Sequence, residues 1–194
     1  ENGQAEALMR GSVGSAKTGQ TTVAQFLSAF LEQLEQGNDV LCLTISSRLS
    51  GAYSDAVAAA KRTGSDHVHV IDSYTTGAGL YRMVQHARQA IDAGMTLEQV
   101  AQEMIAFRTK LHIFLSVTDI EPLRLSGRLR LMSRGMSTIL NVRRMMSLQE
   151  GALVSAGMAR GEGEQMRKLC QSVSSDAASI DVVHVYNDSG AQRL

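Results

Sequence analysis

The sequence predicts an α/β protein, a parallel-sheet α/β domain followed by a smaller α+β domain, and three observations carry that expectation. Helix-like and strand-like stretches alternate through the first half of the chain, which is how parallel strands joined by crossover helices read. The strand-like stretches "DVLCLTIS" (39–46) and "HVHVIDS" (67–73) are apolar almost throughout, as strands buried on both faces are. Beyond residue 108 the pattern shifts to a hairpin followed by one helix. The expected division is 1–108 for the first domain and 109–194 for the second. No glycine-rich linker separates them, so firm packing is expected.

The clearest helix spans 22–36, where Val23, Phe26, Leu27, Phe30, Leu31 and Leu34 recur at helical spacing. Thr21 or Thr22 supplies its cap and Gly37 its end. A second helix runs from a serine-rich stretch to about Thr63. The third opens at "TTGAG", with Leu80, Val84, Ala87 and Ile91 expected inward, and Gly94 breaks it. Thr96 and Gln99 form a capping box for a fourth, ending about Arg108. Two strands make too small a sheet, so further strands are expected from later in the chain or from sequence outside it. "KLHIFLSV" (110–117) reads as a strand, "DIEPLRLSGR" (119–128) as a short helix and turn, and 130–138 as another short helix. "VRRMMSL" and "GALVSAGMA" read as a hairpin turning at 149–151. "GEGEQMRKLCQSV" (161–173) reads as a helix with Met166, Leu169, Cys170 and Val173 inward, and "SIDVVHVYN" (179–187) as a last strand.

Composition narrows the function. Hydrophobic residues make up 44% and charged residues 20%, an ordinary globular balance. The net charge is zero, so bulk charge points to no polyanionic partner. No apolar run approaches the roughly 18 residues of a membrane span. The first 22 residues lack the apolar core of a signal peptide. The chain starts at Glu1 without an initiator Met and reads as processed or as excised from something longer. Cys42 sits in an apolar strand and reads as a small buried side chain. No metal-type spacing or disulfide scaffold is present, which fits a reducing compartment, the cytoplasm. His67 and His69 share one strand face and read as structural rather than as a metal pair.

Two loops hold the chemistry. In "ISSRLSGAYSDA" (45–56), Ser46, Ser47, Ser50 and Gly51 lie between the C-terminal end of a strand and the start of a helix. Ligands of open α/β sheets bind at that edge, and a helix N-terminus offers free N–H groups and a positive dipole end. Uncharged hydroxyl donors there suit a carboxylate or phosphate. Ordinary N-capping explains one serine equally well, but not three. A serine nucleophile would want G-x-S-x-G, which is absent. "GSVGSAKTGQTT" (11–22) misses a phosphate-binding loop, because Ala16 stands where glycine is needed and no strand precedes it. Its small hydroxyl-bearing residues can still meet the serine loop.

"KTGQTTVAQF", "ISSRLSGAYSDA", "VIDSYTTGAG", "DIEPLRLSGRL" and "TILNVRRMMSLQEGAL" together resemble the DegV family. The resemblance implies a cytoplasmic bacterial fatty-acid-binding carrier, a non-enzymatic lipid-binding subunit that holds a long-chain fatty acid for a separate fatty acid kinase subunit. No cofactor and no metal are implied, only a bound fatty acid as ligand. The acyl chain would lie in an apolar tunnel between two α/β domains, its carboxylate held by hydroxyls of two motifs. Thr18 matches the first, with Gly19 in place of the usual serine and Thr21 in place of proline. Ser46, Ser47, Leu49, Ser50, Gly51 and Tyr53 match the second, with Ala52 in place of threonine. Asp72, Ser73 and Gly79 match a third segment, and Ser126, Gly127 and Arg128 a turn usually written G-G-R. The carboxylate-binding candidates are thus Thr18, Ser46, Ser47, Ser50 and Gly51. Leu49, Leu80, Met83, Ile120, Leu123 and Leu125 are candidate tunnel lining, though each singly reads more readily as core. Family members extend further at both ends, so both domains read as truncated. The alternative is a diverged or truncated member acting as an interaction or oligomerisation module without lipid.

Residues 108–146 carry eight basic side chains against two acids, a local balance of +6. Arg124, Arg128, Arg130, Arg134 and Arg143 are candidates for docking a partner or, transiently, the membrane surface. A solvated face bridged to acids elsewhere is the plainer reading. Nucleic acid is not expected, for want of a recognition motif and of interleaved aromatics.

Overall fold

A computed structural model describes residues 19–117, 123, 126–128 and 142–183. Among these, α1 (Val23–Glu35), β1 (Val40–Thr44), α2 (Ala52–Thr63), β2 (Val68–Asp72), α3 (Gly77–Asp92) and α4 (Leu97–Phe107) come first. A single 3₁₀ turn, Arg108–Lys110, leads to β3 (Phe114–Val117), β4 (Val142–Gln149), β5 (Ala152–Arg160) and α5 (Gly161–Gln171). Strands β1 and β2 pair in parallel, from Val40 opposite Val68 to Thr44 opposite Asp72. Strands β3, β4 and β5 form a separate antiparallel sheet in that order. The fold is mixed α/β with one sheet of each kind, as the sequence predicts.

The parallel sheet is covered on both sides because its side chains alternate. Val40, Cys42, Val68 and Val70 meet Phe30, Ala56 and Ala59 beneath α1 and α2. Leu41, Leu43 and Ile71 meet Met83, Ala87, Val100, Ala101 and Met104 beneath α3 and α4. Capping boxes start α1 at Thr22 with Gln25 and α4 at Thr96 with Gln99. The hairpin turn has two residues, Glu150 at φ 46° and Gly151 at φ 78°, both left-handed as a type I′ turn demands.

Several expectations are corrected. No later strand joins the parallel sheet among the described residues; β3 pairs with β4 instead. The inward face of α3 is Gly79, Met83, Ala87 and Ala90, while Val84 and Ile91 face solvent. The 80/84/87/91 stripe and the 79/83/87/90 stripe are adjacent faces of one helix, and small residues on the second let α3 approach the sheet closely. On α5 it is Gln165 that is buried, with Cys170 and Val173 outward. Residues 179–183, the described part of the stretch expected as a strand, are not in a strand; Ile180 and Val183 are exposed and Asp181 pairs with Arg82. Strand β3 is shorter than predicted, since 108–110 continue the turn of α4. The helix expected at 130–138 lies outside the described residues.

Candidate functional site

The serine loop follows β1 and is bound on three sides. Ser46 is fully buried. Its amide donates to the Thr75 carbonyl at 2.9 Å, and its hydroxyl donates to the Gly151 carbonyl at 2.8 Å and accepts from the Arg48 amide at 3.1 Å. The hydroxyl therefore ties the loop to the hairpin turn of the antiparallel sheet. Gly151 is needed for that approach: an added Cβ would press on Ser46 Oγ and lie 3.1 Å from Tyr74 Cα.

The other members of the loop divide the remaining work. The Ser47 amide donates to Asp72 Oδ1 at 3.1 Å, and the Tyr74 amide to the same oxygen at 3.2 Å. Ser50 Oγ accepts from the Ala52 amide at 3.2 Å, a serine turn just ahead of α2, whose N-cap is Gly51 without a side-chain cap. At Gly51 the close neighbour is Gln20, whose Oε1 accepts from the Gly51 amide at 3.0 Å and whose Nε2 donates to Asp55 Oδ2 at 2.6 Å. A Cβ at Gly51 would stand 2.8 Å from Gln20 Cδ. The glycine thus admits this chain's own glutamine. Residues 19–21 meet the serine loop through that Gln20 side chain rather than through a hydroxyl.

Between the loop and the hairpin lies an open cavity of about 800 Å³. Ser47, Arg48 and Tyr53 line it from the serine loop and α2, and Val70, Ile71, Asp72 and Tyr74 from β2 and its exit. Ile105 and Arg108 close the α4 side, and Arg128, Ala152 and Leu153 the side toward the antiparallel sheet. The volume falls within the roughly 300–1,000 Å³ of small-molecule sites. Three guanidinium groups and one carboxylate share it, and the carboxylate is already bonded to two amides. The cavity therefore favours an anion with an apolar body.

The arginines are held in place. Arg108 Nη1 donates to the Asp72 carbonyl at 2.7 Å, and its guanidinium lies 4.1 Å from the centroid of the Tyr74 ring. Arg128 Nε donates to the Leu49 carbonyl at 3.2 Å. Arg144 is buried and Arg143 half-buried in β4. Of the basic stretch, Arg108 and Arg128 line the cavity, while Arg143 and Arg144 lie in β4.

Of the predicted site residues, the structure brings Ser47 to the cavity and leaves the Ser46 hydroxyl outside it. Met83 is fully buried in the core beside Ile71 and does not line this cavity. Leu49, Leu80 and Leu123 are half-buried and likewise not on its wall. The apolar wall comes from Val70, Ile71, Ile105, Ala152 and Leu153. Thr18, Ile120, Arg124, Leu125, Arg130 and Arg134 lie outside the described residues. Sequence reasoning missed Arg48, Tyr74 and Arg108 as site residues; Arg108 stood within the basic stretch and Tyr74 within "VIDSYTTGAG".

Other chemistry is elsewhere. Among the described residues no cluster of His, Cys, Asp and Glu could hold a metal ion. His67 Nδ1 pairs with Asp39 at 2.7 Å, and His69 Nε2 lies 3.5 Å from Glu98. Among the described residues, no helix is long and apolar enough to cross a membrane.

A family model described as the uncharacterised DegV family matches residues 5–194. A DegV domain-containing protein of Deinococcus radiodurans is 30% identical over 156 residues, 80% of this chain and 55% of that protein. A DegV family protein of Thermus thermophilus, described for fatty acid binding, superposes with a TM-score of 0.75 at 31% identity, over 86% of this chain and 60% of that one. A hypothetical protein of Thermotoga maritima whose structure reveals a fatty acid binding function superposes with a TM-score of 0.78 at 25% identity, over 96% of this chain and 67% of that one. The chain spans little more than half the length of the curated relatives it matches. With nearly every residue matched by the family model, the chain belongs to the DegV family.

Proposed function

We propose that this chain is the fatty-acid-binding body of a carrier. It buries an acyl chain between the domain ending near residue 108 and the one that follows, and presents the carboxylate at the serine loop to a separate kinase. The observation that carries this reading is the cavity between loop and hairpin, whose wall combines three arginines and the Ser47 hydroxyl with Val70, Ile71, Ile105, Ala152 and Leu153. Burying each CH₂ of a tail contributes roughly 0.8 kcal/mol, so a short apolar wall already gives useful affinity. A charge-assisted hydrogen bond to the carboxylate adds roughly 1.5–3 kcal/mol. Fatty acid binding by the Thermus and Thermotoga proteins supports the reading. In this role the chain supplies no catalytic group. Ser47 and Thr18 are the hydroxyls assigned to the head group; Ser46 and Ser50 act through the backbone they hold.

Native mass spectrometry of the purified protein, with solvent extraction, tests it. The expected result is a stoichiometric adduct whose mass matches an extracted long-chain fatty acid, reduced by Ser47→Ala and by Thr18→Ala. A folded protein that carries none and takes up none when fatty acid is added overturns it.

A further inference from the structure

We infer that Arg108, braced by the ring of Tyr74, is the residue that reads the charge of the ligand's head group; the inference rests on the carrier reading above. Tyr74 is unusual in its backbone. It sits at φ 53°, a left-handed conformation that a residue with a side chain adopts at a cost. Two bonds hold it there, from its own amide to Asp72 Oδ1 and from the Thr75 amide to Ser73 Oγ at 3.1 Å. The effect is to turn the ring out of the core: Tyr74 is 37% exposed between two buried neighbours, Ser73 and Thr75. The ring reaches the cavity wall, and the guanidinium of Arg108 lies on it.

Arg108 is half-buried and lines the same cavity. Its Nη1 is anchored on the Asp72 carbonyl, a neutral acceptor, and no carboxylate among the described residues pairs with it. Asp72, the nearest acid of the cavity, directs Oδ1 at two backbone amides instead. Arg108 is therefore a fixed cation whose plane is set by stacking and whose remaining N–H donors meet no acceptor among the described residues. That is the arrangement for receiving a carboxylate, since a guanidinium fork held in orientation loses little freedom on binding. Arg128, by contrast, is exposed and donates to the carbonyls of Leu49 and Ser126.

The test compares palmitate with methyl palmitate, which keeps the tail and removes the charge, on the full chain by calorimetry. Wild type is expected to prefer the acid. Arg108→Gln is expected to weaken palmitate roughly 10- to 100-fold and leave methyl palmitate unchanged, collapsing the ratio. Arg108→Lys keeps charge without the fork and falls between, and Tyr74→Ala lowers the ratio without removing any charge. These two variants decide the matter if Arg108→Gln does not fold. An undiminished acid-to-ester ratio in the folded variants overturns the inference and leaves the carrier reading standing, as does a wild type that binds acid and ester equally. A wild type that binds neither overturns both.

Discussion

Replacing Gly151 with alanine measures how tightly the hairpin is latched to the serine loop. Two costs arise, and the structure contains a control that separates them. The first is conformational: Gly151 has φ +78°, where an L side chain costs roughly 1–2 kcal/mol. Gly37, which ends α1, has the same φ of +78° and nothing within 4 Å of an added Cβ, so Gly37→Ala pays that cost alone. The second is steric. At Gly151 the new methyl meets Ser46 Oγ and stands 3.1 Å from Tyr74 Cα, which is backbone and cannot swing aside. Overpacking of this kind costs roughly 1–3 kcal/mol. Urea denaturation should therefore place Gly151→Ala lower in stability than Gly37→Ala by about 1–3 kcal/mol. Ser46→Ala alone should cost about 1–3 kcal/mol, because it leaves the Gly151 carbonyl without its partner. In the double variant the methyl occupies the space the hydroxyl vacates, so the two costs should sum to less than their parts. Equal losses for Gly151→Ala and Gly37→Ala, within about 0.5 kcal/mol, together with strict additivity of the Ser46 pair, would refute the latch.

Two further outcomes follow from charge and burial. Burial pushes the Cys42 thiol up to about 11, while Cys170 is exposed; an aromatic disulfide reagent near pH 8 should titrate one thiol in the native protein and two in denaturant, and two fast native thiols would contradict the packing of β1. The hydrogen bond from His86 holds the Glu103 carboxyl below its usual range, so the folded state takes up that proton less readily than the unfolded chain. The resulting stability is present above the ordinary carboxylate value of about 4.3 and is lost as pH falls through the lowered one. The melting temperature of wild type should thus exceed that of Glu103→Gln near neutrality and converge with it in acid, and a constant gap would refute the assignment.

What the sequence made legible follows the range of the forces involved. The helix start at Thr96 was readable because its capping box is closed within four residues, while only the structure decides between Thr21 and Thr22, with a second capping box at Thr22. The hairpin was readable because Glu150 and Gly151 are the two residues of its own turn. The inward face of α3 was not, because hydrophobicity favoured Val84 and Ile91 whereas close packing on the sheet selected Gly79 and Ala90. Nor was the absence of a strand at 179–183, since whether an apolar run pairs depends on an edge elsewhere. The site shows the same split. Ser47 was found from its place after a strand, but Arg108 and Tyr74 are brought together only by the turn after α4 folding back on the exit of β2.

The three serines of the loop show why residue type alone overstates a site. All three read as ligand donors, and the structure gives them three different partners. Ser50 closes the turn that leads into α2, Ser46 grips the hairpin, and Ser47 faces the cavity while its amide fixes Asp72. Each partner is a backbone or side-chain group that must be satisfied once buried, so the first claim on a buried hydroxyl is structural. The consequence for binding is indirect but specific. Ser46 and Asp72 hold the hairpin turn and Tyr74 in register, and Leu153 and Arg108 line the cavity between them. The loop thus holds apolar residues and a cation on the wall of one cavity, an arrangement that suits an anion with an apolar body.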